Sequence, residues 1–78
     1  MKRYGKENTL EALKNGCVIG DYAHYMLYAG FKVVNSDYDV IGFITFDLFC
    51  SLIRQGIITI SFRDYGVTYY ELNKENKK

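Results

Sequence analysis

His24 is the only histidine in the chain. As a general base it needs an acid or nucleophile held within hydrogen-bond reach. Asp21 is the one carboxylate near it in sequence, and no third group completes a catalytic set. Cys17 and Cys50 lie far apart, and no Cys-x-x-Cys pair exists. With His24 they supply three soft ligands where a structural zinc site takes four. Two reduced, buried thiols are therefore expected. Asp37 and Asp39 alternate as in a cation loop, but Val40-Ile41-Gly42 comes next where an EF-hand continues with further acids, a Gly and a Glu. That stretch reads as a solvated turn. Gly16 and Gly20 frame Gly-Cys-Val-Ile-Gly with no Lys-Ser/Thr after it, so no phosphate loop is formed. These residues point to a protein without enzymatic activity, metal or cofactor.

The tyrosines are the richer signal. There are eight, and Tyr22, Tyr25, Tyr28, Tyr38, Tyr65, Tyr69 and Tyr70 exceed what a small core can bury. Tyr69 and Tyr70 are adjacent, so on a strand they point to opposite faces, one inward and one outward. Tyrosine and arginine are enriched in binding hot spots because they join area to a polar tip. Tyr22, Tyr28, Tyr38, Arg63, Tyr65 and Tyr70 are the candidate partner-binding residues. Ordinary sheet packing with hydroxyls reaching water weighs about equally against that reading. Stacking on single-stranded nucleic acid is a third use of such rings.

The elements that position these residues can be read from pattern. The chain has 78 residues, 49% hydrophobic and 24% charged, enough for one domain and too few for two. No apolar run approaches the ~20 residues of a membrane span. The polar start shows no secretory signal, and a cytoplasmic protein is expected. Asn8 caps a short helix with Glu11 closing a capping box, and Asn15-Gly16 ends it. Residues 17–35 are ambiguous. Tyr25–Val34 is rich in strand formers, yet Asp21 also caps a possible helix over 22–29 that Gly30 ends. Residues 31–44 form a hairpin around the turn at 35–39. Thr45 then caps a helix with Phe46, Phe49, Cys50 and Ile53 at helical spacing, joined by Leu48 and Leu52. Ile57–Phe62 is a strand with Ile58, Ile60 and Phe62 on one face. Arg63-Asp64-Tyr65-Gly66 turns it back into Val67–Leu72.

The expected fold is α+β, with two short helices on a mostly antiparallel sheet of about four strands, ordered helix, hairpin, helix, hairpin. Residues 1–7 and 74–78 read as flexible basic tails around a single domain at 8–73. The expected core is Leu10, Leu13, Leu27, Val33, Ile41, Phe43, Phe46, Phe49, Ile53, Ile58, Ile60, Val67 and Leu72. A domain this small without staples is marginal, so a homodimer through a sheet edge or a tyrosine face is expected.

The formal charge of +1 hides a division. Each tail carries net +2, while the body carries four bases and seven acids, net −3. Duplex binding needs clustered cations, and the body has none. The residue usage favours AT-rich codons, as in a phage or mobile element of a low-GC genome. Together these features favour a non-enzymatic module that binds a larger host protein, as an anti-defence or anti-CRISPR inhibitor does.

One local pattern implies another function. Phe43-Ile44-Thr45-Phe46-Asp47-Leu48-Phe49-Cys50-Ser51-Leu52-Ile53-Arg54-Gln55-Gly56-Ile57-Ile58, followed by the hairpin through Tyr70-Glu71-Leu72, resembles the C-terminal half of a winged-helix domain over 45–72. That resemblance implies a DNA-binding regulator. Its helix over 45–55 would face the major groove and its 63–66 turn would be the wing tip.

Overall fold

The structure is a computed structural model that describes residues 2–23 and 30–74. The readings placed on His24, Tyr25, Leu27 and Tyr28, and on most of the second basic tail, lie outside those residues. Among the described residues six strands and two helices follow in the order β1 (Lys2–Arg3), α1 (Lys6–Lys14), β2 (Val18–Asp21), β3 (Phe31–Val34), β4 (Val40–Ile44), α2 (Phe46–Arg54), β5 (Ile58–Asp64) and β6 (Val67–Leu72). The strands form one mixed sheet in the order β1-β4-β3-β2-β6-β5. β1 pairs with β4 in parallel, and every other neighbouring pair is antiparallel. Hence β1, β4, β2 and β5 run one way, and β3 and β6 the other. Each helix therefore links two parallel strands that are not neighbours.

The α+β class stands, and the strand count and order are corrected. The sequence pattern does not mark β1 and β2 as strands. β1 is two charged residues with no apolar pattern. β2 contains Gly20, which reads as a bend but sits mid-strand. A close approach explains its place there. A Cβ on Gly20 would lie 2.6 Å from Cε1 of Tyr22 and 3.2 Å from that of Tyr69. Lys2, Arg3 and Lys6 belong to ordered elements, so the first basic segment is not a tail over its whole expected length.

Helix α1 begins earlier than Asn8. Gly5 is its N-cap, with no side-chain cap, and the Thr9 hydroxyl donates to the Gly5 carbonyl at 2.7 Å. That bond lets Thr9 be fully buried. Helix α2 starts as expected, with the Leu48 amide donating to the Thr45 hydroxyl at 3.2 Å.

Both helices pack on one face of the sheet. Ala12, Leu13 and Leu52 join Ile19, Val33, Ile44 and Ile58 in one core cluster there. A smaller cluster of Val34, Val67 and Tyr69 lies on the opposite face, with Val18, Tyr22, Val40 and Phe62 against it. No described helix reaches that face.

Four expected core residues are exposed: Ile41, Phe46, Ile53 and Ile60. Phe46 and Ile53 are exposed because α2 turns Leu48, Phe49 and Leu52 inward instead. Ile41 is skipped where the β3–β4 register shifts, since Val34 pairs with Val40 and Val33 with Gly42. Ile60 does face the helix side, opposite Tyr70, but it stands on the edge strand. A second bulge comes after it, and Phe62 pairs with Tyr69 on the other face. Ile58, Ile60 and Phe62 therefore do not share one face.

Candidate interaction surface

Ring contacts gather on the face away from the helices. Tyr69 stacks on Phe62, with centroids 4.7 Å apart and planes 22° apart. Tyr22 meets Tyr69 edge-on at 6.3 Å, lying over Gly20, and their hydroxyls are 3.2 Å apart. Tyr38 meets both Phe62 and Tyr69 edge-on, at 6.2 Å each. Edge and offset geometries suit the ring quadrupoles. The result is one connected group: Tyr69 at the base, Phe62 and Tyr22 beside it, Tyr38 outermost.

The turn between β3 and β4 delivers Tyr38. The Asn35 side-chain oxygen accepts from the amides of Asp37 and Asp39, at 2.9 Å each. The Tyr38 amide donates to the Asn35 carbonyl at 2.9 Å, and Tyr38 adopts φ +65°. An asparagine that satisfies its own turn is a frequent device. Asp37 and Asp39 are exposed on this turn, as their sequence context predicts. Tyr38 itself is 62% exposed although two rings brace it.

Tyr65 is 87% exposed at the tip of the β5–β6 hairpin. Tyr65 and Gly66 both have positive φ, which matches the twist of a two-residue hairpin. Arg63, opposite Thr68, is exposed on β5. Tyr70 lies on the other side of the sheet, half-buried, with its ring edge-on to Phe49 at 5.0 Å. So Tyr22 and Tyr38 come together, and Tyr70 is separated from them by the sheet. Tyr69, Phe62 and Asn35 are contributors outside the candidate set, which takes Tyr70 in place of its neighbour Tyr69. Asn35 carried a turn signal, while Phe62 changes face only through a bulge that no local pattern marks.

Chemistry is sparse elsewhere. Cys17 and Cys50 are free thiols, both partly buried, and burial raises the Cys17 pKa. Among the described residues no three His, Cys, Asp or Glu side chains gather as metal ligands. No helix there is long and apolar enough to cross a membrane.

Comparison with protein-family models, curated proteins and solved structures finds no match.

Burial, then the Tyr22 hydroxyl, pushes the Tyr69 pKa from 10 up to about 12. The folded chain thus holds this proton more tightly than the unfolded one. The associated stability is intact below pH 10 and is lost as pH rises towards about 12. Tyr70, also raised by burial, adds in the same direction. Urea midpoints measured upward from about pH 9 should fall across that window. A flat profile would mean that Tyr69 titrates as if free.

Proposed function

We propose that the protein is a small non-enzymatic binding module whose partner is another protein. The observation that carries this reading is Tyr38, a large side chain that is mostly exposed yet fixed by its turn and two rings. Fixing a rotamer before binding removes an ordering cost of about 0.5–1.5 kcal/mol per side chain. Tyrosine adds area with only two side-chain torsions to order. Tyr65, at its hairpin tip, is a second exposed ring. Tyr22 and Phe62 support the surface from beneath.

Occlusion or tethering of a larger host protein suits a chain of this size, as in an anti-defence inhibitor of the anti-CRISPR kind. The residue usage supports a phage or mobile-element source. Nucleic acid fits less well. Tyr69 and Phe62 are stacked on each other, which takes one face of each ring away from bases. The exposed side of α2, the groove-facing helix of the winged-helix alternative, offers Asp47 and a single base, Arg54.

The test is capture from a lysate of the encoding host with wild type and with Tyr38→Ala/Tyr65→Ala. A partner held by wild type should be lost by the pair, by at least about tenfold in Kd for one hot-spot tyrosine. The melting temperature should fall only modestly, since Tyr65 is 87% exposed and Tyr38 gives up two edge-on contacts at the surface. Duplex DNA anisotropy at low and physiological salt runs beside it. Steeply salt-sensitive binding to DNA, with no protein partner, would overturn the proposal in favour of the regulator.

A further inference from the structure

Helix α2 keeps an outward face that the described elements leave largely open, touched only at its edge where Phe46 meets Phe31 of β3 at 5.8 Å. At about 100° per residue, Leu48, Phe49 and Leu52 take the core side. Phe46, Asp47, Cys50, Ile53 and Arg54 then turn away from it. Phe46 is 64% exposed and Ile53 40%, and Asp47 and Arg54 are exposed as well. Phe46 and Ile53 form an exposed apolar stripe along one side of the helix, which a partner would bury.

The charge order on this face identifies its occupant. The acid Asp47 lies in the first turn and the base Arg54 in the last, two turns apart on one side of the apolar stripe. Laid against an antiparallel copy of itself, the helix sets each Asp47 beside the Arg54 of the other copy. Phe46 meets Ile53 in both directions, and the two Cys50 residues meet at the centre. The two helix dipoles also oppose, which favours this arrangement over a parallel one. One surface that satisfies itself twice is the mark of a two-fold interface.

We infer that the protein forms a homodimer through antiparallel packing of α2 on α2, with Cys50 at the two-fold axis. The contact lies on the helix side of the sheet, away from the Tyr38 surface, and does not depend on the binding role proposed above.

The purified full chain tests this by light scattering across concentration and by thiol crosslinking. Copper(II)-phenanthroline with dioxygen as oxidant removes two electrons and two protons from facing thiols to form one disulfide. Wild type should scatter with twice its 9.1 kDa mass and crosslink as a dimer. Cys17→Ser should still crosslink, and Cys50→Ser should not. Asp47→Arg places like charges together twice and should weaken the dimer by about tenfold or more. Adding Arg54→Asp to that variant restores opposite charges and should recover the dimer. Tyr38→Ala/Tyr65→Ala should leave it intact. A monomer at every concentration would overturn the inference. So would a dimer that crosslinks through Cys17 or ignores Asp47→Arg. All these α2 sites are exposed or partly so, and a melting curve on each variant identifies any that fails to fold.

Discussion

Leu52→Ala is expected to destabilise the protein by about 2–5 kcal/mol, while Phe46→Ala changes it by less than about 1 kcal/mol. The two residues share one short helix and look equally apolar in sequence. Leu52 is fully buried among residues from both helices and the sheet. Removing its side chain loses the transfer energy and leaves a cavity that the neighbours cannot fill. Small domains hold a net stability on the order of 5–15 kcal/mol, often at the low end. Leu52→Ala should therefore unfold a measurable fraction at room temperature, read as a large drop in urea midpoint with the slope retained. Within a single chain Phe46 is 64% exposed, with a tilted contact to Phe31 at 5.8 Å, so the pair is compared below the concentration at which two copies associate. If Phe46→Ala were the worse of the pair, α2 would be rotated from the orientation described.

Gly42→Ala is the second large effect, and its mechanism is overpacking. A Cβ at this position would lie 2.7 Å from the Lys2 carbonyl oxygen and closer still to the Tyr4 ring. A ring can swing aside, but a backbone carbonyl in a strand pair cannot without breaking the pair. Lys2 pairs with Gly42, Arg3 pairs with Phe43, and the Tyr4 amide donates to the Phe43 carbonyl at 2.8 Å. The added methyl should therefore pull β1 away and loosen Tyr4 from the core. Overpacking alone costs about 1–3 kcal/mol. At about 4–8 °C per kcal/mol for a domain of this size, Tm should fall by roughly 5–20 °C. Gly5, where a Cβ meets open space, is the control for added bulk, and Gly5→Ala should cost only the N-cap preference of α1, not the strand pairing. An unchanged Gly42→Ala melting curve would mean that β1 is not held where it is described.

Local signals carried part of this architecture well. Thr45, Asp47 and Arg54 bounded α2, and the Asn35 turn bounded the β3–β4 hairpin, because caps and turns are made by residues near one another in sequence. The turn of the β5–β6 hairpin marked it in the same way. Facing was harder to read. Helix α2 is apolar over so much of its circumference that the pattern allowed Phe46 and Ile53 inward as readily as Leu48 and Leu52. The choice depends on which strands lie beneath. The two bulges had no sequence mark, and each resets the facing of the residues next to it: Ile41 is left outside, and Phe62 crosses to the other face. For the candidate surface, exposed Tyr38 and Tyr65 were legible from turn chemistry. The grouping of Tyr22 with Tyr69 was not, because it requires β2 to lie beside β6.

The parallel pairing of β1 with β4 also has a temporal side. On the ribosome Lys2 emerges 40 residues ahead of its partner Gly42. At about 5–20 residues per second, that is a wait of roughly two to eight seconds. Two residues have little to hold them during that interval, and α1 must wait with them for the sheet on which it packs. The edge strand is thus made early and docked late, and the segment from β1 through α1 stays open to chaperones and proteases longer than the hairpins made after it.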